Sequence, residues 1–138
     1  MPPSRRKLGA VLAIDTNVVV RLLIDDEPGQ AAKARSLIET EQVFVASTVL
    51  LEAEWVLRSG YGLDRFAVIS SLTAFVGLSQ VKLEDPARTE RALRWALAGM
   101  DFADALHLAA GEGCEAFATF DRRLAKAATA EGPPVRLL

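Results

Sequence analysis

What most constrains the fold is the rhythm of the chain: short apolar runs, each stopped by polar or turn residues, alternate with stretches of helical period throughout. Val11–Ile14 halts at Asp15-Thr16-Asn17 and reads as a buried strand leading into a helix start. Pro28 opens a helix with Ala31, Ala32, Ala34, Leu37 and Ile38 at helical spacing. Val43–Ala46 is a second strand; Ser47 or Thr48 is expected to cap the following helix, which passes Leu51, Trp55 and Val56 and stops near Ser59-Gly60. Asp64 is expected to cap a helix through Phe66, Ile69, Leu72 and Val76, and Val81–Leu83 forms a third strand. Pro86 starts a helix that Gly99 interrupts, and Asp101 begins another that ends at Gly111–Gly113. Ala116–Phe120, Asp121, a helix through Leu124 and Ala127, and an edge strand at Val135–Leu138 complete the series.

Strands that alternate with helices predict an α/β domain, a parallel sheet with helices on both faces. At 138 residues the chain has room for one such domain. It is expected over residues 9–138, after a flexible basic tail over residues 1–8 that carries Arg5, Arg6 and Lys7. No apolar run is long enough to span a bilayer, so a membrane partner is not expected.

Few chemistries are open to these residues. Cys114 is the one cysteine and His107 the one histidine, which excludes a structural zinc site and a two-histidine acid–base nuclease. A lone cysteine forms no internal disulfide, in keeping with a cytoplasmic location. Chemistry must fall to carboxylates, which favour hard cations such as Mg²⁺ or Mn²⁺. The net charge of −2 is no bar to a nucleic-acid partner: with four acids set aside for a metal site, the rest of the chain is positive.

Parallel α/β sheets bind ligands at the carboxyl ends of their strands. Asp15 closes the first strand, Asp121 follows the fourth, Glu52 lies one turn into the helix after the second, and Asp104 lies in the first turn of its helix. Each has a plainer reading. Asp15 and Asp121 suit helix caps, and Asp101 with Asp104 resembles a capping box. Glu52 is the acid that stands out, because its helical neighbours Thr48, Val49, Trp55 and Val56 are mostly apolar. Glu54 has Arg58 four residues on and reads as an exposed ion pair of small worth. Trp55 and Trp95 read as core or dimer-interface residues, and His107 as a structural one. Arg122, Arg123 and Lys126, at and just after the residue following Asp121, are the candidate contacts to a bound phosphate.

Four segments in this order, AIDTNVVVRLL, ASTVLLEAEWVLR, GMDFADALHLAA and FATFDRRLAK, together resemble a PIN domain, specifically the VapC-type toxins of bacterial toxin–antitoxin pairs. The resemblance covers nearly the whole chain. It implies a five-stranded parallel sheet sandwiched between helices. It places the family's acids at Asp15, Glu52, Asp104 and Asp121 as metal-binding and catalytic residues, with Asp101 as an additional acid. Asn17 and Thr119 match polar positions that hold the acids in place. Implied too are one or two Mg²⁺ or Mn²⁺ ions, hydrolysis of RNA to 5′-phosphate and 3′-hydroxyl ends, a cognate antitoxin and a homodimer. Besides toxins, the same nuclease type serves RNA processing and decay. Two other readings compete: a phosphotransfer or phosphatase domain with Asp15 as nucleophile, disfavoured because only Lys82 lies near a strand end, and a non-catalytic module in which the acids are caps.

Overall fold

Five aspartates start helices by the same local device. In the computed structural model, which describes residues 10–138, each lies just before a helix and turns its carboxylate back to that helix's first amides. Asp15 accepts from the Val18 amide at 3.3 Å and begins α1 (Thr16–Leu23). Asp64 accepts from Ala67 at 3.1 Å and begins α4 (Arg65–Val76); Asp85 accepts from Arg88 at 3.3 Å and begins α5 (Pro86–Leu97). Asp101 accepts from Asp104 at 3.1 Å and begins α6 (Phe102–Ala110). Asp121 accepts from Arg123 and Leu124 at 2.8 and 3.1 Å and begins α7 (Arg122–Ala127). The tail expected over residues 1–8 lies outside the described residues.

Pro28 at the first position opens α2 (Pro28–Thr40). The start of α3 (Ser47–Trp55) departs from expectation: neither Ser47 nor Thr48 caps it. Ala46 occupies the cap position, and the Ser47 amide donates instead to Glu84 Oε1 at 3.0 Å, a partner thirty-seven residues away. Past Trp55 the helix widens into a π-helical turn, Val56–Gly60, closed by the Tyr61 amide donating to the Val56 carbonyl at 3.1 Å.

Every strand pairing is parallel, but the strands form two sheets and not the expected five-stranded one. β1 (Val11–Ala13), β2 (Gln42–Val45) and β3 (Val81–Leu83) form one sheet in that order, with Val11 opposite Gln42 and Val43 opposite Val81. Among the described residues β4 (Phe117–Thr119) pairs only with β5 (Val135–Leu137), Phe117 opposite Val135. No ladder joins β1 to β4 among the described residues. The reason lies in their length: β1 and β4 are each three residues long and give their few ladder hydrogen bonds to β2 and β5. β1 is accordingly not the buried strand its sequence suggests, and Leu12 is 47% exposed.

The core lies between the three-stranded sheet and the helices, with Val43, Val45, Leu50, Leu57, Ile69, Leu72, Phe102 and Leu108 fully or almost fully buried. Along α3 and the π-helical turn that follows it, the inward stripe is Leu50, Ala53, Glu54 and Leu57, with spacing i, i+3, i+4, i+7. This reverses the expected roles of two acids. Glu54, read as an exposed ion-pair residue, is 4% exposed, whereas Glu52 faces solvent. Glu54 is tolerated inside because Arg58 Nε donates to both its oxygens, at 2.9 and 3.3 Å. Trp95 is core, while Trp55 is 58% exposed.

A buried carboxylate that loses its partner costs more than a half-buried guanidinium that loses its own, because the latter can reach water. Arg58→Met is expected to destabilise the protein by about 2–3 kcal/mol, somewhat below the range for fully buried pairs because Arg58 is partly solvated. Glu54→Leu should cost clearly less. Urea unfolding of both variants checks the order, and equal losses would contradict it.

Candidate active site

α6 presents its acids at its first turn. Phe102, Ala105, Leu108 and Ala109 fill the buried face, so Asp101 and Asp104 are left on the side that faces outward, half-buried. Beyond them lies a cavity of about 370 Å³, lined by Asp101, Asp104, Asp121, Arg65 and Arg123 over a base that includes Met100 and Leu124. Asp121 reaches it from the turn between β4 and α7. That turn is held by Thr119 Oγ1, which accepts from the Asp121 amide at 2.9 Å.

The electrostatics of the cavity concentrate on Asp104. Burial, then the negative charges of Asp101 and Asp121, push its carboxyl pKa above the ordinary 3.8; His107 and Arg65 pull in the opposite direction without cancelling the rise.

Asp15 and Glu52 are not in the lining of this cavity. Thr16, the first residue of α1, is buried, and its Oγ1 donates to Glu52 Oε1. This bond ties the first turn of α1, just after Asp15, to the exposed carboxylate on α3. Among the described residues, no group of three Asp, Glu, His or Cys side chains is close enough to hold a metal ion. Asp101, Asp104 and Asp121 thus share one cavity lining, and Glu52 is joined to the residue that follows Asp15.

The other candidates divide similarly. Arg123 lines the cavity, while Arg122 and Lys126 are exposed away from its lining. Asn17 lies in the groove between α1 and α2 with Arg21 and Lys33. His107 is exposed and belongs to a neighbouring cavity with Ser47, Thr48 and Glu84. Two residues escaped sequence reasoning. Thr16 could have been suspected as the middle of Asp15-Thr16-Asn17. Arg65 could not, since only its long-range bond to the Gly99 carbonyl, at 2.7 Å, brings it to the acids.

The donor set suits a hard divalent cation. All its donors are oxygen, and Asp104 carries the crowding of like charge that a bound cation would relieve. Ions of this kind commonly keep several waters and take only one or two carboxylates directly, which accommodates acids spread around a cavity.

The raised Asp104 pKa has a definite sign in stability. Between the ordinary carboxylate value and the raised one, the folded state binds more protons than the unfolded state, so stability falls as pH rises through that window. Above the window the penalty is complete. In metal-free buffer, Asp104→Asn is expected to raise the melting temperature at pH 7, with the gain vanishing below about pH 4. A variant melting at or below the native chain at pH 7 would contradict the assignment.

A search of curated proteins returns no match. Comparison with known families matches residues 12–130 to the PIN domain, whose members are generally nucleases that hydrolyse nucleic acid with divalent metal ions. The match spans every element from within β1 to beyond α7, including all four segments that carry the acids. The chain belongs to the PIN-domain family.

Proposed function

We propose that the protein is a ribonuclease that hydrolyses RNA phosphodiester bonds with Mg²⁺ or Mn²⁺, and that it is the toxin of a VapC-type toxin–antitoxin pair. The observation that carries the catalytic part is the cavity shared by Asp101, Asp104 and Asp121, with Asp104 crowded by the other two in a chain of a nuclease family. The toxin part rests on the order of the four sequence segments.

Asp104 and Asp121, with Asp101 beside them, would hold one or two ions, in part through water, and Asp15 and Glu52 complete the acidic set. A divalent ion bound there supplies a water of lowered pKa and a counter-charge for the phosphate. Thr16 orients the Glu52 carboxylate, and Thr119 fixes the backbone from which Asp121 projects. Arg123 contributes positive charge to the same cavity. Arg122 and Lys126, on the exposed side of α7, are candidates for more distant phosphates.

Loss of a group that only supports a metal ligand typically costs about 10–100-fold in activity or metal affinity, so loss of a ligand should cost at least about 100-fold. Asp104→Asn and Asp15→Asn are expected to reduce cleavage of single-stranded RNA by that much in Mn²⁺, and EDTA should abolish it in the native chain. Full activity in excess EDTA, or in either variant, would refute the mechanism.

The partners follow from the same reading: a cognate antitoxin and a second copy of the chain. Exposed Trp55 and Phe66 offer apolar surface that a protein partner would cover. Light scattering is expected to give the mass of a homodimer, and a monomer mass at every concentration would remove that claim. A cytoplasmic site of action is part of this proposal. No helix among the described residues is long and apolar enough to cross a membrane.

A further inference from the structure

Arg65 is the first residue of α4, yet its side chain belongs to the acid cavity. Its Nη2 donates to the Gly99 carbonyl at 2.7 Å, at the turn that ends α5. Gly99 has φ +117°, a conformation that side-chain-bearing residues rarely adopt, and the turn is tied by its amide donating to the Ala96 carbonyl at 3.0 Å. The guanidinium is thus anchored at one end to a rigid turn. Among the described residues this is its one side-chain hydrogen bond, and no carboxylate lies within ion-pair distance of it, although three line the same cavity. Nε and Nη1 keep their protons available on a half-buried, pre-positioned plane.

A cation fixed this way and left unpaired beside acids is poorly explained as a structural ion pair. The arrangement suits an anion that enters the cavity. A guanidinium offers parallel N–H donors that match two oxygens of a phosphate, and anchoring one end reduces the entropy lost when the anion binds. Arg123 shares the cavity, but it is exposed and its side chain makes no hydrogen bond among the described residues. We infer that Arg65 binds a backbone phosphate of the nucleic-acid substrate at the acid cavity and positions it against Asp104 and Asp121. This rests on the ribonuclease reading for the identity of the substrate.

The test measures binding separately from cleavage. A fluorescein-labelled single-stranded uridine oligonucleotide is titrated with the native chain and its Arg65 variants in EDTA across a range of salt concentrations. Arg65→Gln removes the charge but keeps an N–H donor that can serve the Gly99 carbonyl; Arg65→Lys keeps the charge without the planar fork. Each phosphate neutralised on a single strand contributes about 0.7 to the slope of log affinity against log salt. Arg65→Gln is expected to weaken binding and lower that slope by about 0.7, whereas Arg65→Lys should keep the slope. In cleavage assays, Arg65→Lys should lower kcat more than it raises KM, since the phosphate is then held but poorly aligned.

An unchanged slope in folded Arg65→Gln overturns the inference and leaves the ribonuclease reading intact. A lowered slope in a protein that cleaves no RNA upholds the phosphate contact and overturns the ribonuclease reading. Should Arg65→Gln fail to fold, Arg65→Lys decides: its slope and kcat both equal to those of the native chain would overturn the proposal. Absence of binding by the native chain would overturn the inference, while the ribonuclease reading stands or falls on cleavage in Mn²⁺.

Discussion

The packing of α6 into the body of the protein determines where almost everything of functional interest stands. α6 makes the most extensive helix pairing of the fold with α5, and its Phe102, Ala105, Leu108 and Ala109 are enclosed. A helix held this tightly cannot rotate, and only the sides left uncovered can carry charge. Asp101 and Asp104 occupy such a side. Their mutual repulsion is imposed by the apolar half of the same helix, which gains more from burial than the acids lose by crowding.

The helix starts could be read in the sequence because they are local. An aspartate that accepts from an amide two or three residues ahead leaves its mark in adjacent letters, and Asp15, Asp64, Asp101 and Asp121 all behave in this way. Distance explains the failures. The Ser47 amide finds Glu84 only because β2 and β3 lie side by side, and Arg65 reaches Gly99 only because α4 packs on α5. Neither bond has a signature in either segment. The division into two sheets is similar, since such short runs say where a strand is and not which neighbour it takes.

The exchange of roles between Glu52 and Glu54 has a different cause. α3 is apolar around most of its circumference, so helical period alone does not choose which stripe faces inward. The choice falls to Leu50, Ala53 and Leu57, whose burial carries Glu54 in with them and leaves Glu52 outside, within reach of Thr16. Glu52 nevertheless takes its place near the Asp15 turn. The apolar environment that makes Glu52 stand out in the sequence belongs instead to its neighbour two positions away.

The enclosed Glu54 and its Arg58 partner bear on how this chain can diverge. A line of descent that loses the arginine first passes through a less stable intermediate than one that replaces the glutamate first. Change at the two positions is therefore ordered in time. Among related sequences the glutamate should seldom occur without the arginine, while the arginine is free to occur alone.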